Sequence, residues 1–131
     1  MSEPAEDLSC VVVRPAVSGD LAYVVDMWAR KLPGYQPDLR RLRDCEMREL
    51  ARARVTRALA REGVCVRVAC YSGDPSWLSG WIVDRGDCLL YAYVRAPYRG
   101  RGILRLLVGD SRYERAACRC RVLPRCRGEE P

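Results

Sequence analysis

The sequence predicts an α/β domain in which antiparallel strands lead into one strand, a glycine loop and a helix. Three observations predict it. Cys10 to Arg14 (CVVVR) is a short β-branched run ended by Pro15. Apolar residues from Leu21 onward recur at helical spacing. Tyr91 to Val108 (YAYVRAPYRGRGILRLLV) passes from an apolar run through two glycines into a second apolar stretch.

In chain order, Cys10 to Arg14 reads as the first strand, because β-branched side chains suit a pleated, half-buried surface. Ser18-Gly19-Asp20 offers helix N-caps, and Leu21, Val24, Val25, Trp28, Ala29 and Leu32 then form one apolar helix face. Pro33-Gly34 stops that helix. A second helix is expected from about Asp38 to Arg61, with Met47, Leu50, Ala51, Val55, Ala58 and Leu59 inward and Gly63 as the C-terminal stop. Val64 to Cys70 (VCVRVAC) is the next strand, Ser72 to Ser76 a turn, and Leu78 to Asp84 its partner. Arg85-Gly86-Asp87 is a tight turn into Cys88 to Arg95 (CLLYAYVR), a run apolar on both faces and so expected to be covered on both. Ile103, Leu104, Leu106, Leu107 and Val108 mark a third helix. The order is β-α-α-β-β-β-α.

At 131 residues and 14.9 kDa, with 49% hydrophobic and 31% charged residues, the chain suits one globular domain. No apolar run approaches the ~20 residues that span a bilayer. Met1 to Leu8 is acidic and polar, so a flexible N-terminus over residues 1–9, no signal peptide and a cytoplasmic location are expected. The net charge is +6, yet Lys31 is the only lysine and His, Phe and Asn are absent. That pattern follows from a GC-rich gene, so arginine richness does not point to nucleic acid. A diffuse positive charge still favours an anionic ligand or acidic partner.

The eight cysteines (Cys10, Cys45, Cys65, Cys70, Cys88, Cys118, Cys120, Cys126) are expected as free thiols, with Cys65, Cys70 and Cys88 as small core residues. No CxxC pair and no histidine accompany Cys118, Cys120 and Cys126, so no metal site is expected. The lack of histidine also excludes Ser–His and Cys–His nucleophile pairs.

The chemistry concentrates at residues 99–104. A helix N-terminus leaves backbone N–H groups unpaired and carries partial positive charge. Gly100 and Gly102 would let a ligand approach that backbone, and Arg99 and Arg101 add charge, which together make a phosphate cradle. The loop is neither a Walker A motif nor GxGxxG. Loop chemistry alone leaves open a plain glycine-containing turn with incidental arginines.

The same residues resemble the GNAT superfamily of N-acetyltransferases. Arg99-Gly100-Arg101-Gly102-Ile103-Leu104 matches its Q/R-x-x-G-x-G/A signature except at the last position. Val94 to Ile103, the opening Val13-Arg14-Pro15-Ala16 with Asp20-Leu21, and the element order resemble it too, over about residues 10–110. Trp28, Gly80-Trp81 and Tyr91 to Val94 are similar to small GNAT-like proteins of phages and prophages. The resemblance implies a mixed, mostly antiparallel sheet flanked by helices. It also implies acetyl-CoA as donor, its pyrophosphate on the N–H groups of Arg99 to Leu104 and its pantetheine arm beside Ala92, Tyr93 and Val94. A bulge would splay this strand, and an N–H near Val94 would meet the thioester carbonyl as an amine attacks.

Two departures bear on activity. Leu104 stands where the signature has Gly or Ala. Residues 111–131 (SRYERAACRCRVLPRCRGEEP) read as a divergent, truncated or frameshifted Arg/Cys-rich segment with room for one strand, near Ala117 to Leu123. Glu46, Glu49, Asp84 and Asp87 are candidate bases, Tyr91, Tyr93, Tyr98 and Tyr113 candidate thiolate acids, and Trp28 and Trp81 candidate pocket walls. Each has a plain packing or surface role as its alternative, and no catalytic side chain is assigned. The leading expectation is an acetyl-CoA-dependent N-acetyltransferase acting on a primary amine. The alternative is a catalytically weak module that binds CoA or a protein partner, and a basic nucleic-acid or host-interaction protein is a third. An unpaired sheet edge would suit a homodimer.

Overall fold

The computed structural model describes residues 8–116. The strand expected near Ala117 to Leu123 and the cysteines Cys118, Cys120 and Cys126 lie outside them. The described chain forms two compact units, one of residues 8–16 and 65–116 and the other Val17–Val64.

The first unit is built on a five-stranded sheet in the order β1-β2-β3-β4-β5. Its strands are β1 (Val11–Pro15), β2 (Val64–Tyr71), β3 (Asp74–Arg85), β4 (Cys88–Val94) and β5 (Arg115–Ala116). The β1–β2 and β3–β4 pairs are antiparallel, while β5 runs parallel to β4. The sheet is therefore mixed and mostly antiparallel, as expected. A 3-10 turn over Leu8–Cys10 precedes β1, so Cys10 lies just outside the strand.

β3 begins at Asp74, four residues before the expected start, because only Ser72-Gly73 is needed to reverse the chain after Tyr71. Gly86, at φ +62, closes the β3–β4 hairpin where a side chain would be strained. Beyond that turn the register slips: Val83 pairs with Tyr91 but Asp84 with Leu89, so Leu90 is an extra residue. The slip sends Leu89 and Tyr91 to opposite faces. Leu89 joins Ala69, Ile82, Ile103, Leu107 and Tyr113 in the core under α3 (Ile103–Val108). Tyr91 shares the other face with Val68, Cys70, Trp81 and Val83, all buried. Both faces of β4 are thus covered at this end, as its apolar run requires. Among the expected core cysteines, Cys70 is buried and Cys88 half-buried, but Cys65 is exposed at the start of β2.

The second unit holds α1 (Ser18–Lys31) and α2 (Asp44–Leu59). Val17, not Ser18, is the N-cap of α1, and the buried Asp20 carboxylate accepts the Val17 N–H at 2.9 Å. Val24 and Trp28 are the buried apolar positions of α1, and Leu32 is buried in the 3-10 turn that follows. α2 is shorter than the spacing predicts. Pro37 starts a separate 3-10 turn, Pro37–Arg41, which carries the fully buried Leu39. Arg54 holds that turn against α2: it donates to both Asp38 oxygens, at 2.7 and 3.3 Å, and to the Gln36 side chain. This guanidinium lowers the Asp38 carboxyl below its ordinary value. Ala51 and Val55 are buried as expected, while Leu50 is exposed.

Candidate functional site

The site expected from the sequence lies where β4 runs out into the glycine loop. Here the hydrogen-bond alternation decides which backbone groups are available. Arg95 donates its N–H to Ser79 O at 2.9 Å. With Trp81 opposite Tyr93 and Gly80 opposite Val94, this makes Trp81–Tyr93 a hydrogen-bonded pair, and Gly80–Val94 and Ile82–Ala92 non-hydrogen-bonded ones. The N–H and C=O groups of Ala92 and Val94 therefore point away from β3, along the outer edge of β4. Among the described residues β5 pairs only with Cys88 and Leu89, so this stretch of edge meets no strand. Gly80 permits the local approach of β3 to β4. A Cβ there would stand 2.7 Å from Tyr93 O and 3.3 Å from Val94 Cα.

After a 3-10 turn over Ala96–Tyr98, Gly100 and Gly102 take φ +77 and +90, conformations that admit glycine and strain other residues. Gly102 is also crowded: a Cβ there would lie 3.4 Å from a Leu8 methyl. Gly102 O accepts the Leu106 N–H at 3.1 Å and begins α3. The Arg99 N–H is already donated to Ala96 O at 3.3 Å. The N–H groups of Gly100, Gly102, Ile103 and Leu104 find no acceptor among the described residues, as the first turn of a helix dictates. Leu104 is half-buried and packs against the core that holds Ile103 and Leu107, so its bulk is on the packing side of the helix.

The Arg99 side chain does not point toward α3. Its Nε donates to Val94 O at 2.7 Å, and its guanidinium lies 5.3 Å from the centre of the Tyr93 ring. Tyr93 shares a face with Trp81, the face opposite α3. Nearby, the Trp77 indole N–H donates to Tyr98 Oη at 2.8 Å. Arg95 covers Trp77 at 5.6 Å and donates Nη1 to Leu78 O at 3.2 Å. No motif or period in the sequence marks Trp77 or the Arg95 side chain as part of this cluster.

Glu46 and Glu49 are exposed on α2 beside Leu50 and Ala53, in a shallow groove. Asp84 and Asp87 sit at the opposite end of β4. There Asp84 accepts from Arg67 at 3.0 Å and from Tyr113 Oη at 2.5 Å, and Arg67 also reaches Tyr113 Oη at 2.9 Å and Ser111 Oγ at 3.3 Å. Burial, then the Asp84 hydrogen bond, pushes the Tyr113 hydroxyl up to about 12, so it holds its proton. Tyr113 is therefore a buried tie rather than an acid facing the open edge. Tyr91, Trp28 and Trp81 are buried; Tyr93 and Tyr98 are half-buried at the loop end. Among the described residues no group of three or more Cys, Asp or Glu is placed to hold a metal ion, and no helix is long and apolar enough to cross a membrane.

No family model matches this chain, and no curated protein matches it in sequence. Two of the solved structures that share its fold are acetyltransferase candidates. One is named a possible acetyltransferase, from Clostridium difficile 630: TM-score 0.51, 18% identity, 75% of this chain and 66% of that one covered. The other is YycN of Bacillus subtilis, a candidate acetyltransferase: TM-score 0.51, 12% identity, 73% and 68% covered. The chain thus covers just under two thirds of the first. The mixed, mostly antiparallel sheet is the one the resemblance implied, and the likeness to these two structures is a likeness of fold.

Proposed function

We propose that the chain binds acetyl-CoA and passes its acetyl group directly to a primary amine. One observation carries the reading. The outward N–H groups of Ala92 and Val94 lead along one edge into four more N–H groups without acceptors among the described residues, at Gly100, Gly102, Ile103 and Leu104. A pyrophosphate is a polyanion that such amides hold without any side-chain charge. A pantetheine arm carries amides of its own and pairs with a free strand edge as another strand would.

In this reading Ala92, Tyr93 and Val94 align the arm, and the amides of Gly100, Gly102, Ile103 and Leu104 anchor the phosphates, Arg99 having its N–H and Nε already committed. The Val94 N–H donates to the thioester oxygen as charge develops there. The amine nitrogen forms its bond to the acyl carbon, the C–S bond breaks, and the amine's proton leaves with the thiolate or to water. Of the candidate carboxylates in the sheet unit, Asp84 and Asp87 belong to the other end of β4, so in this reading the amine arrives neutral and is held in place by position. Thiol release from acetyl-CoA should depend on added amine, rise with pH toward the amine's own pKa, and yield an acetylated product by mass spectrometry. Thiol release that ignores the amine would refute the transfer.

A second reading is favoured by the Arg99 Nε contact, which occupies Val94 O and narrows the free edge. On that reading the chain holds CoA without turnover.

A further inference from the structure

Arg99 lies across the edge that the donor reading assigns to the pantetheine arm. The hydrogen-bond alternation at the end of β4 turns Val94 O away from β3, off the outer edge. Arg99 Nε donates to that oxygen at 2.7 Å, reaching back five residues over the 3-10 turn of Ala96–Tyr98. Its guanidinium lies 5.3 Å from the centre of the Tyr93 ring, whose face is the one opposite α3. The side chain therefore starts in the loop, covers the edge at Val94 and ends beyond it. A ring face directs a guanidinium and leaves its charge intact.

A carbonyl that serves a strand-like ligand has to be open to an N–H of that ligand. We propose that Arg99 is a displaceable plug. Its Nε holds the place on Val94 O that an amide N–H of the pantetheine arm takes, and the arm seats only when the side chain leaves. The inference rests on the donor reading above. It gives Arg99 a part unlike that of a phosphate ligand, because its contact in the free protein opposes the donor. The contact is charge-assisted, so it competes with a neutral amide; Arg99 is also exposed, so water solvates the guanidinium once it is displaced. An edge that is open in only a fraction of molecules binds with its affinity reduced by that fraction.

Calorimetric titration with pantetheine, which carries the amides and no phosphate, tests this on the full chain and on R99M and R99A. R99M keeps the aliphatic stem and removes the donor, and the exposed position leaves folding intact in both variants. Each should bind pantetheine about fivefold more tightly than the wild type, the worth of one net hydrogen bond. CoA should gain less, since its phosphates lose the attraction of one cation. In nitrogen-edited NMR spectra of the wild type, the Arg99 Nε–H should exchange slowly with water, and quickly once pantetheine is saturating. Pantetheine affinity equal or lower in both variants, or an Nε–H signal untouched by the bound arm, would overturn the inference. Wild type and variants that all fail to bind CoA would refute the donor reading, and the inference with it.

Discussion

At its Cys88 end β4 is paired on both sides, and its neighbours use their polar groups on one another: Asp84 with Arg67 and Tyr113, Asp87 with Arg115. At its Val94 end, six residues away, the outer edge meets no described strand and the following loop keeps four amides without acceptors among the described residues. The same strand is closed at one end and open at the other. The closed end should carry stability and tolerate no loss of a partner. The open end should matter little to folding and a great deal to ligand binding.

The sharpest way to break that contrast is to remove Asp84. Its loss leaves Arg67 and the buried Tyr113 hydroxyl without their shared acceptor, and D84A should lower unfolding free energy by about 3 kcal/mol. Urea denaturation reads this, and CoA affinity of the folded fraction should stay within about twofold. The same network predicts an alkaline limit. The Tyr113 hydroxyl is raised to about 12. Its contribution is therefore complete below the unfolded value near 10 and is lost between pH 10 and 12. By then the unfolded phenol has ionised while the folded one holds its proton. The loss should reach about 2.5 kcal/mol, and Y113F should remove this pH dependence.

At the open end the expected order of effects reverses. G102A forces a side chain into φ +90 against Leu8 and should cost about 1–2 kcal/mol of stability, yet weaken CoA binding by about tenfold or more. G80A belongs to both regions. Its Cβ would press on Tyr93 O, displacing β4 and lowering stability by about 1–2 kcal/mol, with a parallel loss of CoA affinity. The smallest effect should come from L104A. Its side chain packs in the core, so CoA affinity should barely move while stability falls by about 1 kcal/mol.

Much of this architecture was legible in the sequence because hydrophobic period and turn chemistry agree there. The i, i+3, i+4 spacing from Leu21 gave α1, and Arg85-Gly86-Asp87 gave a hairpin that Gly86 closes with positive φ. The loop glycines were legible for the same reason, since two glycines before an apolar helix need little else to explain them. α2 is shorter than its sequence pattern because Pro37 suits both a helix start and a separate 3-10 turn, and the Arg54 contacts hold the latter. The Arg67–Asp84–Tyr113 tie was illegible, since it joins three residues far apart in sequence. The direction of Arg99 was hidden likewise. Its position in the motif suggests a phosphate contact, and only the Tyr93 ring and Val94 carbonyl turn it to the other face.

The most direct test of the central claim is calorimetric titration of the folded protein with acetyl-CoA and, separately, CoA, alongside G102A. The account predicts one site per chain with a dissociation constant in the micromolar range, similar for both ligands, and at least about tenfold weaker in G102A. No binding by a protein shown to be folded, or binding untouched by the loop substitution, would contradict it.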